Sequence, residues 1–194
     1  MLTGMAELKE IGDAIALLEG EGLMQDKVTL VYCTLEYPAP IDEVNLRAMR
    51  AMGDMFGLPV GYSDHTEGID VAIAAVAIGA SVIEKHFTLD KNLPGPDHSA
   101  SLEPEALKAM VEGIRRIECA LGSAQKQRTA SERKNVQLVR KSIVAARAIS
   151  ADEVFSEENL TVKRPAIGLS PMLWDGVIGK RASRSFMPDE VIEL

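Results

Sequence analysis

The spacing of apolar positions changes several times along the chain, and each change predicts an element. Leu8, Ile11, Ile15 and Leu18 recur at helical intervals, and Gly20 and Gly22 end that helix. Val28 to Cys33 (VTLVYC) is instead a continuous β-branched run, the pattern of a strand covered on both faces, as in a parallel sheet. After a loop at Tyr37-Pro38-Ala39-Pro40, Asp42 is a fair N-cap for a helix with Leu46, Met49, Gly53 and Phe56 on one face. Gly57-Leu58-Pro59 resets the chain, and Val60 to Ser63 forms a strand running into Asp64-His65-Thr66. An Ala-rich helix from about Ile69 to Ile78 closes at Gly79. Ser81 to Phe87 is the next strand, and its loop carries Pro94-Gly95-Pro96-Asp97. Glu103 to Leu121 is the longest helix, with Leu107, Met110, Ile114, Ile117 and Leu121 inward and Gly122 just past its end.

One helix followed by three strand-helix repeats is the order of an α/β protein, a parallel sheet wound with helices. In such folds the functional face lies at the strand C-termini, where Tyr37, Ser63, His65, Glu84, His86 and Asp97 fall. Residues 1–121 therefore read as one domain. Residues 122–141 are polar and basic without an apolar stripe and read as a linker. From Ser142 to Leu194 the strand-like pieces SIVAA, NLTVKR and KRASRSF, separated by turns and short helical segments, read as a small β-rich module with Trp174 in its core.

Composition narrows the function. The net charge of −8 argues against nucleic acid or an anionic membrane as partner, since both need a basic face. An anionic substrate needs locally placed cations. No run reaches the ~18 apolar residues of a membrane span and no signal peptide is visible at MLTGMAELKE, so a cytoplasmic protein is expected. Cys33 and Cys119, far apart in sequence, fit buried, inert thiols in a reducing compartment.

The chemistry is concentrated between Gly61 and Ala100, which holds all three histidines, His65, His86 and His98. Glu84 and His86 are two apart, so on a strand both leave the same face while Lys85 leaves the other. A carboxylate and an imidazole on a mostly buried strand are costly to desolvate unless paired or liganded. His65 and His86, at the ends of successive strands, are candidates to meet on a divalent metal with an open position for a substrate carbonyl. Local hydrogen bonding by each imidazole is the alternative. Glu84 is a third metal ligand, a hydroxyl acceptor or a strand-end salt bridge. Asp97 is a ligand or a turn residue, Tyr37 a site residue or a packed turn aromatic. Ser63 is a donor to phosphate or carboxylate, or a turn cap. Ser63, Asp64 and His65 are adjacent and cannot converge as a nucleophilic triad.

Taken together, TGMAEL, YCTLEYPAP, VNLRAM, GYSDHT, IEKHFTLD, GPDHSASLEP and VKRP followed by GLSP resemble the N-acetylneuraminate (sialic acid) synthase family over essentially the whole chain. The resemblance implies the last four units of a TIM (β/α)8 barrel, followed by a small antifreeze-like (SAF, β-clip) domain, with the first four barrel units absent. It implies condensation of phosphoenolpyruvate with an N-acetylmannosamine-type sugar to a nine-carbon 2-keto-3-deoxy acid and phosphate. His65 and His86 would hold a divalent metal, Mn or Mg, that activates the sugar aldehyde, with Glu84 beside them. Ser63 would contact phosphoenolpyruvate, and Tyr37, Glu84 and Asp97 would face the sugar. Arg164, in VKRP, would reach the acyl-amino group of a sugar in a partner subunit, in a domain-swapped homodimer.

Leu2 and Leu35 stand where members of that family carry polar residues near phosphoenolpyruvate, and Ala166-Ile167 replaces the usual Gly-Asn of the arginine loop. These differences keep a second substrate reading open, a diacetamido hexose leading to legionaminic or pseudaminic acid. They also leave a reading of another class, a non-catalytic sugar-binding or dimerisation fragment. A half-barrel is expected to be inactive alone.

Overall fold

The computed structural model describes residues 1–23 and 27–194. Two compact units divide the chain, Met1–Ser123 and Ala124–Leu194.

In the first unit the helix α1 (Leu8–Gly20) buries Ile11 and Ile15, and Glu10 reaches back to accept from the Glu7 amide at 2.8 Å. Three strands follow, each with its helix: β1 (Leu30–Cys33) and α2 (Leu46–Phe56), β2 (Val60–Asp64) and α3 (Asp70–Ala77), β3 (Val82–Lys85) and α4 (Pro104–Leu121). The sheet runs β1-β2-β3, with both pairings parallel. Residues 1–3 extend it beyond β1, where Val31 donates to the Met1 carbonyl at 2.8 Å and Thr3 donates to the Val31 carbonyl at 3.0 Å. β2 is buried along its whole length, as its central place requires. Leu30, Met49, Met52, Val60 and Tyr62 form the core with α1 and α2, and Ala72, Val76, Leu102, Met110 and Ile114 join α3 to α4.

Several expectations need correction. Asp42 caps no α-helix: Ile41–Glu43 is a single 3-10 turn, and α2 starts at Leu46 after Asn45 in the left-handed region at φ 47°. Leu8 and Leu121 are exposed at helix ends, and Cys119 is exposed while Cys33 is buried. β3 is not mostly buried. It pairs with β2 alone among the described strands, so its face toward Val82 and Glu84 is open, with Val82 43% exposed. The sheet does not close into a barrel among the described residues.

The second unit contains a helix in the stretch expected to be a linker. Thr129 and Glu132 form a reciprocal capping box that starts α5 (Ala130–Val139), and the Gln137 carbonyl accepts from the Ala166 amide at 2.7 Å. The antiparallel pair β4 (Ser142–Ala145) and β5 (Leu160–Lys163) covers a core of Ile143, Ile149, Phe155, Leu160, Val177, Phe186 and Ile192. Trp174 opens the short helix α6 (Trp174–Val177) and packs against that core while partly buried. KRASRSF forms no regular strand and is tied by single bridges, Arg181 to Val154 and Phe186 to Ile149. No helix among the described residues is long and apolar enough to cross a membrane.

Two outcomes follow from this packing. A Cβ on Gly53 would lie 2.8 Å from Val60 Cγ1 and 3.4 Å from the Leu58 carbonyl, so α2 sits against β2 at glycine distance. Gly53→Ala should destabilise the chain by roughly 1 kcal/mol in urea unfolding, because overpacking of about 2 kcal/mol exceeds a helix-propensity gain of about 1 kcal/mol. In the second unit, Glu153 accepts from the Ser150 amide (2.9 Å) and from Asn159 Nδ2 (3.1 Å) and pairs with Arg147 (2.8 Å). These bonds, the Ser150 amide foremost, hold its carboxyl at about 2 against the ordinary 4.5. A depressed folded-state value means the contribution is complete above about 4.5 and is lost as pH falls toward about 2. Amide exchange at Ile149 and Phe155 should accelerate across that window in the native chain, and Glu153→Gln should flatten the change.

Candidate functional site

At the C-terminal ends of β1, β2 and β3 a cleft of about 230 Å³ is lined by Leu2, Gly4, Cys33, Leu35, Tyr37, Ser63, His65, Glu84 and His86. Strand register builds it. Ser63 lies opposite Glu84 and Cys33 opposite Ser63, so one face of three strands presents a thiol, a hydroxyl and a carboxylate in a row. A larger groove of about 480 Å³, lined by Ala6, Ile11, Tyr32 and Met52 among others, lies elsewhere in the unit and has no comparable cluster of reactive groups.

Ser63 Oγ donates to Glu84 Oε1 at 2.7 Å. Its only proton is thereby committed, although Oγ also lies 3.3 Å from His65 Nε2. On the far side of that ring, Nδ1 is 2.7 Å from the Thr34 carbonyl, and a carbonyl only accepts. Nδ1 therefore carries the proton in the neutral ring, and the Nε2 lone pair is left without a donor. The His65 and His86 rings meet edge to face with centroids 5.4 Å apart, and Tyr37 lies over both, at 4.2 Å and 5.3 Å. Partial burial, with Cys33, Asp97 and Glu84 nearby, pushes the Tyr37 phenol above its ordinary range, so it remains a donor near neutral pH. Burial likewise raises the Cys33 thiol, which is not a nucleophile here.

Two imidazoles on one ion have ring centres about 5 Å apart when each metal–nitrogen bond is about 2.1 Å. The His65–His86 spacing and the bare Nε2 of His65 both suit that arrangement. Among the described residues no three His, Cys, Asp or Glu side chains are arranged to hold a metal ion. An ion held by His65 and His86 would thus keep positions open for water and substrate.

The other expected residues fall outside this cluster to different degrees. Asp97 stands at the rim, its carboxylate 3.9 Å from His86 Nδ1 and more than half exposed, too far for a hydrogen bond. His98 takes no part, because its Nδ1 is bonded to Thr88 Oγ1 at 2.7 Å. Arg164 belongs to the second unit, exposed at the end of β5. Ser63 and His65 do touch, but Asp64 leaves the opposite face for Lys85, so no triad forms. Two participants carried no signal at the level of single residues. The Thr34 carbonyl is backbone, and no side-chain type announces it. The Asp64–Lys85 pair was visible only as a charged residue on each of two neighbouring strands.

Comparison with known proteins gives the family. Residues 1–126 match the NeuB family and residues 140–194 match the SAF domain. N,N'-diacetyllegionaminic acid synthase of Campylobacter jejuni is 54% identical over 190 residues, which are 98% of this chain and 57% of that protein. The enzyme of the same name from Legionella pneumophila is 46% identical over 184 residues, 93% of this chain and 51% of that protein. The crystal structure of spore coat polysaccharide biosynthesis protein SpsE from Bacillus subtilis superposes with a TM-score of 0.59 at 35% identity, covering 99% of this chain and 58% of the other. The chain spans little more than half the length of these relatives. Strand-end cleft, small β-rich unit and sequence all lead to one assignment: the chain belongs to the NeuB family of sialic-acid-type synthases and carries a SAF domain.

Proposed function

We propose that this chain forms part of a synthase that condenses phosphoenolpyruvate with an N-acylated amino sugar, giving a nine-carbon 2-keto-3-deoxy acid and phosphate. The observation that carries the reading is the convergence of His65 and His86 beside Glu84 and Ser63 at the strand ends. Its three strand-helix units are, in this proposal, the C-terminal part of a closed barrel. His65 and His86 would hold a divalent ion, and two imidazole donors suit Mn better than Mg, which takes oxygen ligands almost throughout. When bound, the ion polarises the sugar aldehyde. Glu84 accepts from sugar hydroxyls, Tyr37 covers the imidazole pair and donates its phenolic proton, and Asp97 offers a further acceptor at the rim. Ser63 contacts phosphoenolpyruvate once its bond to Glu84 is exchanged.

Two relatives at 54% and 46% identity bear the name of a diacetyllegionaminic acid synthase, which favours a diacetamido hexose over N-acetylmannosamine as the sugar. Arg164 is exposed just past β5, and in this proposal its guanidinium reaches the acyl-amino group of a sugar held by a partner subunit in a domain-swapped dimer.

Among the described residues, no lysine or arginine lines the cleft. Phosphoenolpyruvate carries a phosphate and a carboxylate, and beside Glu84 it needs cations from outside the cleft residues. The isolated 194-residue chain should therefore release little or no phosphate from phosphoenolpyruvate with either sugar. Supplied with the N-terminal part of the Campylobacter jejuni relative, it should do so with Mn²⁺, faster with the diacetamido hexose than with N-acetylmannosamine. His65→Ala or His86→Ala should abolish that turnover, and substantial turnover by the lone chain would contradict the assignment. Sugar binding with no phosphate release in the reconstituted protein would favour a non-catalytic sugar-binding module instead.

A second outcome concerns the ion alone. Mn²⁺ titrated into the chain should lose its free-ion electron paramagnetic resonance signal on binding, and either His65→Ala or His86→Ala should weaken binding at least tenfold. Unchanged binding in both variants would remove the metal from the reading.

A further inference from the structure

On the face of the sheet opposite the cleft lies an ion pair that the chemistry proposed above does not use. Lys85 Nζ donates to Asp64 Oδ2 at 2.9 Å, and the two side chains are 2% and 0% exposed. The other carboxylate oxygen, Asp64 Oδ1, accepts from the Thr66 amide at 2.9 Å and from Thr66 Oγ1 at 2.7 Å. Lys85 Nζ also donates to the Thr66 carbonyl. A pair buried this deeply is a weak source of stability, because desolvation offsets the attraction and an apolar pair of similar volume often does as well.

Its effect is geometric. Asp64 and Thr66 flank His65, and Lys85 precedes His86. Every polar group of Thr66, amide, hydroxyl and carbonyl, is bound to Asp64 or Lys85. The His65 carbonyl accepts from the Ala39 amide at 2.9 Å, and its Nδ1 is bonded to Thr34. The peptide that carries the imidazole is thus fixed on both sides and at its own carbonyl.

We propose that Asp64, Thr66 and Lys85 form a positioning unit that holds the His65 ring with Nδ1 on Thr34 and Nε2 toward the cleft, and sets its distance from His86. The consequence for metal affinity rests on the reading of His65 and His86 as ligands, whereas the ring placement is measurable without any metal. Groups that orient a ligating histidine from behind commonly change metal affinity by 10- to 100-fold when removed.

The chain has three histidines, so the ring-nitrogen resonances of each can be assigned by substitution. In the metal-free native chain at alkaline pH, His65 should show one neutral tautomer with a bare Nε2. Thr66→Val keeps the shape and removes the Oγ1 donor. It should move His65 toward a tautomer mixture and weaken Mn²⁺ binding about tenfold, while the His98 resonances stay in place. Thr66→Ser should restore both. Lys85→Met should act in the same direction and more strongly, and Thr66→Val serves where that variant does not fold. Native ring shifts in Thr66→Val, or failure of Thr66→Ser to restore them, would overturn the positioning unit. A native chain with the single His65 tautomer but no Mn²⁺ binding would overturn the ligand reading and leave the positioning unit standing.

Discussion

The pairing of β2 with β3 is the constraint on which the rest of the first unit depends. Because the strands are parallel and in register at Ser63 with Glu84, the next residues, Asp64 and Lys85, are also opposite one another on the reverse face. One alignment therefore makes two polar pairs at once, an open one that faces the cleft and a buried one behind it. A slip of β3 by a single residue would turn its side chains over, placing Lys85 in the cleft and Glu84 in the interior beside Asp64. The buried pair makes such a slip expensive, since Asp64 would lose its ammonium away from water and face a second carboxylate.

From that register follows the electronic state of the cleft. Ser63 Oγ donates to Glu84 and His65 Nδ1 donates to the Thr34 carbonyl, so among the described residues the remaining imidazole lone pair has no committed donor. A lone pair in that condition is what a cation or an incoming donor meets. The cleft is anionic at Glu84, electron-rich at His65 and, with Leu2, Cys33 and Leu35, apolar along one wall. Such a surface suits recognition of a polyol through accepted hydrogen bonds, and an anionic ligand there would need cations from groups beyond it.

Much of this was legible in the residues. The alternation of β-branched runs with helical spacing gave the order of strands and helices, and the two-residue spacing of Glu84 and His86 placed both on one face. What the sequence did not disclose has physical reasons. Asp42 resembles an N-cap, but it lies inside a 3-10 turn capped by Pro40, and the left-handed Asn45 starts the helix three residues later. The mostly buried strand expected at Ser81 to Phe87 presumed a neighbour on each side, and β3 has one among the described strands. The helix at Ala130 has no apolar stripe, so periodicity passes over it, and the Thr129–Glu132 box that starts it lies within the stretch read as a linker. Cys119 lies on the outer face of a long amphipathic helix, where a thiol needs no cover.

In the second unit, the buried Ser142 hydroxyl donates to the Pro165 carbonyl at 2.8 Å and accepts from the Ile167 and Gly168 amides at 2.9 Å each. All three partners are main-chain atoms of the loop that follows Arg164. The grip is therefore indifferent to which side chains the loop carries, apart from Gly168, where any Cβ would collide with Val191. Ala166 and Ile167 can vary while the peptide path stays the same, so Arg164 can keep its footing as the surface around it changes.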